Sequence, residues 1–303
     1  MNFENKIIIK PKSLLEQPEL RRKLFLKKKN IVDDFRPDEK DFTDIYEEED
    51  IKKDLSEIDL LEKKWDEENN SQEKYNKEVA SLLEGVIADQ VEANQWLGED
   101  CEIIPASRYD DIKNGVDVIS IFNTKEENKY LGLGIDVTFA YNDKVLLEKI
   151  DSIKGIIRAG LLPELKYFRD PETNEHKKLI VPKIIVGARL SSAEKLVMLW
   201  GSDKEDKNKK LKEDPMQSKI ILESLYQIKY FYEFALNLSQ NTKQEKQKIN
   251  YEKIALSYAE MYNLFYDIYE TKKELIEKHY SEVRDDIVYQ TIAKYTKNTE
   301  EEK

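Results

Sequence analysis

Asp136 stands in the middle of the run YLGLGIDVTF, where Leu131, Leu133, Ile135, Val137 and Phe139 alternate with small residues. A lone ionised carboxylate in such surroundings is costly unless something pairs with it. Asp117, in the apolar run VDVISIF, is the nearest partner of interest. Strand side chains alternate faces, so Asp136 shares a face with Thr138, and Ile135, Val137 and Phe139 take the other. A hairpin joining the two runs sets Asp117 beside Asp136. Two carboxylates so placed repel, and either one takes up a proton or a cation bridges them. The chain has 2 His and 1 Cys, which disfavours a structural zinc site and leaves oxygen-liganded Mg2+ or Mn2+ as the ion these residues suit. Two further residues join the pair. Glu84 lies on a helical stripe with Ile87, Ala88 and Val91, facing either inward as a ligand or outward to solvent. Lys149, next to Ile150 and Ile153, can help deprotonate an attacking water or stabilise charge in a phosphoryl transition state.

The elements that must position these groups are legible from periodicity. Leu55, Ile58, Leu61 and Trp65 mark an amphipathic helix, and Val79, Leu82, Leu83, Val86, Ile87 and Val91 mark a second over 75–97, closed by Gly98. Strands follow at 101–104, at 116–122 and over most of 130–144, with NTKEENK as the hairpin connection. Leu146, Ile150, Ile153 and Ile157 form the inner stripe of the next helix, which Asn142 can cap and Gly160 ends. KLIVPKIIVGA reads as one apolar strand with Pro182 marking an edge or bulge, and SSAEKLVMLWG as a helix with a serine cap and Glu194 in a capping box. ASRYDDIKNGVD reads as an ordered polar loop in which Arg108 contacts phosphate, or Asp110 or Asp111 adds a ligand, against the plainer reading of turn hydrogen bonds.

The order helix–strand–strand–strand–helix–strand, with an acid in the first helix, Asp117 in GVDVI and Asp136 in GIDVTFA, resembles the PD-(D/E)xK nuclease superfamily over about residues 75–190. The resemblance implies a restriction-endonuclease-like α/β domain with an αβββαβ core and a mixed sheet. It also implies a Mg2+- or Mn2+-dependent hydrolase that cuts phosphodiester bonds in DNA or RNA. Glu84, Asp117 and Asp136 take the positions of the metal-holding acids. The third residue of the D/E-x-K tripeptide departs from the pattern, because Thr138 stands where the lysine belongs. Some families of the superfamily move that lysine to the following helix, which makes Lys149 the candidate and Lys154 the reserve.

Charge and composition set the rest. Charged residues make up 37% of the chain and the net charge is −12, which argues against a wholly electrostatic nucleic-acid binder but leaves room for a local basic groove. Only 9 Gly and 8 Pro point to few tight turns and much helix. One cysteine, Cys101, forbids an internal disulfide, and no run reaches the ~18 apolar residues of a membrane span, so a cytoplasmic protein without a membrane partner is expected. The segmentation reads as a charged arm with a helix over 1–74, the nuclease-like domain over 75–202, and a charged linker with a helical region over 203–303. The first 50 residues read as an extended or partly disordered arm whose basic run RRKLFLKKKN is solvated or touches phosphate. Ser107 has no histidine near it for a nucleophilic triad. His176 and His279 read as surface residues, and the tyrosines of 226–269 as helix packing rather than base-stacking platforms. Thr138 and the acid excess favour a rival: a catalytically inactive nuclease-like scaffold that binds a protein through its helical C-terminal region.

Overall fold

The computed structural model describes residues 14, 17–123, 130–139 and 143–297. The Asn142 cap and the connection at 124–129 lie outside the described residues.

A four-stranded mixed sheet carries the candidate acids. β1 (Cys101–Pro105), β2 (Val118–Asn123) and β3 (Tyr130–Phe139) form an antiparallel meander. α5 (Asp143–Arg158) then crosses over to β6 (Lys183–Ala188), which runs parallel to β3 in the order β1-β2-β3-β6. A parallel neighbour needs such a crossover. α5 buries Leu146, Ile150, Ile153 and Ile157, the stripe expected from its spacing, each contributing roughly 1.5–3 kcal/mol of transfer free energy. α3 (Ser71–Asn94) packs against the same face through Leu83, Val86 and Ile87.

α3 starts earlier than its apolar stripe suggests. Asn70 accepts from the amides of Gln72 and Glu73 while the Glu73 carboxylate takes the Asn70 amide, a reciprocal cap. It ends at Gln95, which adopts the left-handed conformation (φ 54°), and not at Gly98. The presumed single strand around Pro182 is two. β4 (Glu164–Arg169) and β5 (His176–Ile180) form a separate hairpin covering the other sheet face through Leu165, Phe168 and Val181. α6 (Leu190–Gly201) has no serine cap: Arg189 precedes it without a capping bond, and Glu194 accepts instead from the Tyr75 hydroxyl.

Of the first 50 residues, those from 17 onward are folded, not an extended arm. α1 (Pro18–Ile31) buries Leu24, and Val32 and Phe42 are buried beyond it. Its basic run is engaged within the chain: Arg21 pairs with Glu78, Lys23 with Asp203 at 2.6 Å and Lys27 with Asp89 at 3.2 Å. α2 (Glu48–Glu68) follows as expected. The linker at 203–214 holds a short helix, α7 (Lys207–Lys212), whose Leu211 is buried. α8 (Pro215–Asn241), α9 (Glu245–Thr271), α10 (Lys273–Arg284) and α11 (Ile287–Lys297) complete the described residues. One hydrophobic cluster takes residues from Leu24 to Ala293, so all three parts of the sequence share a core. His279 is buried beside the Ser218 hydroxyl, and His176 stacks on Phe42 at 4.2 Å between ring centres.

The β6 edge of the sheet is closed by side chains, as exposed edges invite pairing. On β6, the Tyr258 hydroxyl bonds the amide and carbonyl of Lys183, the Gln227 amide bonds both backbone groups of Ile185, and Glu223 accepts from the Gly187 amide. On β1, Pro105 has no amide to offer. Among the described residues no helix is long and apolar enough to cross a membrane.

Candidate functional site

Asp117 and Asp136 come from neighbouring strands at the same level. Val118 pairs with Ile135, and the Asp117 amide donates to the Ile135 carbonyl at 3.0 Å, so the next step of the register sets Asp117 opposite Asp136. Directly opposed residues of an antiparallel pair share a face. Asp117 bends toward β3, where its Oδ2 accepts from the Val137 amide at 2.5 Å. Burial pushes the Asp117 carboxyl well above the usual range, and the like charges of Asp111, Asp136 and Glu84 push it further, against the pull of Lys149.

Asp136 is 4% exposed and is held by two lysines. Lys149, from α5, donates to Oδ1 at 2.5 Å, which places the helix lysine of the sequence reading on the strand acid. Burial draws the Lys149 ammonium down, but Asp136, with Asp117 and Asp111, outweighs it, and its pKa is raised. A charged Lys149 stabilises negative charge and is a poor proton acceptor. The second lysine is Lys183 of β6, whose Nζ lies 3.3 Å from Asp136 Oδ2 and donates to the Asn114 carbonyl at 2.9 Å. Gly115, with φ 60°, leaves the space this pair needs; a Cβ there would lie 2.8 Å from Lys183 Nζ. Thr138 is buried. Lys154 turns away from the acids, donating to the Tyr295 hydroxyl at 3.0 Å.

Glu84 faces inward, 5% exposed, and lines one cavity of about 520 Å3 with Asp111 and Asp117. Trp65, Lys77 and Ser81 form other parts of the wall. Five acids (Glu62, Asp66, Glu84, Asp111, Asp117) and three cations (Lys28, Arg36, Lys77) line this space. Arg36 bridges Glu84 Oε1 at 3.1 Å and Asp111 Oδ2 at 3.0 Å, and Lys28 lies 3.4 Å from Glu84 Oε2. Burial raises the Glu84 pKa despite both cations.

Glu84, Asp117, Asp136 and Lys149 are thus brought into one electrostatic neighbourhood. The donors are all hard oxygens, which by chemistry suits Mg2+ or Mn2+. As arranged, however, no three His, Cys, Asp or Glu among the described residues stand close enough to hold a metal ion. Protein cations hold both oxygens of Glu84 and of Asp136.

Sequence reasoning did not single out Arg36, Lys28 or Lys183. Lys183 carried a readable signal, since a lysine opening the apolar run IIVG needs a buried partner. The ASRYDDIKN stretch is a helix, α4 (Arg108–Asn114), capped by Ser107. Arg108 is tied to Glu62 and Asp59 of α2, so it is not poised for phosphate. Asp110 is structural, accepting locally from the Ser107 hydroxyl and, beyond the turn bonds expected, from the distant amides of Lys166 and Tyr167. Of that stretch, Asp111 and Ile112 reach the cavity.

Comparisons with family models, curated proteins and solved structures found no match.

Proposed function

We propose that the chain is a metal-dependent nuclease of the PD-(D/E)xK type, hydrolysing phosphodiester bonds in DNA or RNA. The observation that carries this reading is the juxtaposition of Asp117 and Asp136 across β2 and β3, with Lys149 on the crossover helix donating to Asp136. The antiparallel meander, the α5 crossover and the parallel β6 also fit the core that the resemblance implies. Asp117, Asp136 and Glu84 would hold Mg2+ or Mn2+. When bound, the ion supplies Lewis-acid polarisation of the scissile phosphate and a more acidic water. Lys149, kept charged by its acidic neighbours, stabilises the negative charge that grows on the phosphoryl oxygens. Asp117, fixed by the Val137 amide, keeps one oxygen oriented by the strand backbone.

A second reading is favoured by a specific observation: Glu84 and Asp136 are already neutralised by Arg36, Lys28, Lys149 and Lys183. In this reading the core is an inactive scaffold, and Ile249, Leu256 and Tyr266, exposed on α9, are apolar residues a protein partner would cover. Incubation with mixed single- and double-stranded DNA and RNA in Mg2+ or Mn2+, with an EDTA control, separates the two. The nuclease cuts only with the ion; the scaffold cuts under neither condition.

A further inference from the structure

The acid cavity holds a cation of the chain's own. Arg36 follows a short turn (Asp33–Phe35) after α1, and its side chain, 17% exposed, reaches Glu84 and Asp111. Lys28 comes from the last turn of α1, with its side chain 6% exposed, between Asp33 at 2.7 Å and Glu84. The approach is built into α3: at Gly85 a Cβ would lie 2.8 Å from Lys28 Cγ, so a larger residue would push the lysine stem away. Glu84 thereby has one cation on each oxygen, both supplied by a segment about 50 residues upstream in the chain.

We propose that residues 28–36 are an internal strap whose Arg36 and Lys28 occupy Glu84 and Asp111 in place of a divalent cation, so that ion binding and strap docking exclude each other. This inference rests on the metal-site reading above and adds its regulation. A carboxylate whose two oxygens are engaged by a guanidinium and an ammonium offers no oxygen to an incoming ion until one of them leaves. The ion therefore binds only the fraction of molecules with the strap released, and its apparent affinity is lowered by that fraction. The strap is anchored at Val32, which is buried in the core, and is free to move only beyond it: Phe35 is exposed, and the Phe35 and Arg36 amides bond only to the Val32 and Asp33 carbonyls of the same turn, at 3.0 and 3.3 Å. Pro37 follows and has no amide.

Calorimetric titration of Mn2+ into the wild-type chain and into Arg36→Gln, with hydrogen exchange read at the Phe35 and Arg36 amides, tests the strap. The variant is expected to bind Mn2+ about tenfold more tightly, which is about 1.4 kcal/mol. In the wild type, saturating Mn2+ is expected to speed exchange at both amides, while KCl of equal ionic strength does not. Arg36→Lys keeps a charge but cannot bridge two carboxylates, and is expected to fall between; it serves as the test should Arg36→Gln not fold. Equal Mn2+ affinity in all three proteins with unchanged exchange refutes the strap and leaves the metal site standing. No Mn2+ binding to any of them refutes both.

Discussion

Replacing Asp136 by alanine tests whether the buried ion triad is the keystone its geometry implies. Asp136 is the carboxylate for both Lys149 and Lys183, and the two lysines differ in their escape routes. The Lys149 side chain is 34% exposed, so once unpaired its ammonium turns to water at a cost under ~1 kcal/mol. Lys183 is 9% exposed and keeps only the Asn114 carbonyl. An uncompensated buried charge costs about 3–5 kcal/mol. Asp136→Ala is therefore expected to lose about 3 kcal/mol or more in urea denaturation. Adding Lys183→Met removes the orphaned charge, and the double variant is expected to recover about 2 kcal/mol relative to Asp136→Ala. A single variant within about 0.5 kcal/mol of wild type, or strictly additive effects of the two changes, would falsify the triad as described. The same numbers show that alanine at Asp136 confounds chemistry with folding, so the site is better tested at Asp117.

Two other outcomes follow from the edge of the sheet. Glu223 is fully buried and its carboxyl is pushed up to about 7 by burial, ahead of the opposing pull of Lys219. Between the ordinary glutamate value of 4.5 and about 7, the folded chain holds a proton that the unfolded chain has lost, so stability falls as pH rises through that window and is flat above it, by roughly 3 kcal/mol at most. Glu223→Gln is expected to abolish that slope in denaturation series from pH 4 to 8; an unchanged slope contradicts the assignment. Gln227→Ala strands the amide and carbonyl of Ile185 and is expected to cost about 2–4 kcal/mol by the same assay, whereas a loss under 0.5 kcal/mol means that water replaces the glutamine.

What the sequence made readable, and what it hid, follows the range of the interactions. The stripe of α5 and the three meander strands are local patterns, and they stand where their periodicity puts them. Asp117 and Asp136 were also readable as neighbours, because a hairpin brings nearby strand segments together. The β4–β5 hairpin was missed because a register shift between Leu165 and Phe168 breaks the alternation that marks a strand. α4 was missed because its polar residues look like a loop, and only the fold shows that Asp110 is consumed by distant amides. The N-terminal segment looked solvated because Lys28 is buried only by virtue of Glu84, far along the chain. Charge partners of this kind leave no period in the sequence.

The decisive measurement is the Mg2+-dependent cleavage rate of single- and double-stranded DNA and RNA by wild type and by Asp117→Asn. Asparagine keeps an oxygen for the Val137 amide and relieves repulsion from Asp111, Asp136 and Glu84, so the fold is preserved. A metal-dependent nuclease built on this acid predicts EDTA-sensitive cleavage by wild type and a rate at least ~100-fold lower in the variant, near the scale of one electrostatic catalytic group. Cleavage equal in the two proteins, or absent from wild type on every substrate, contradicts it.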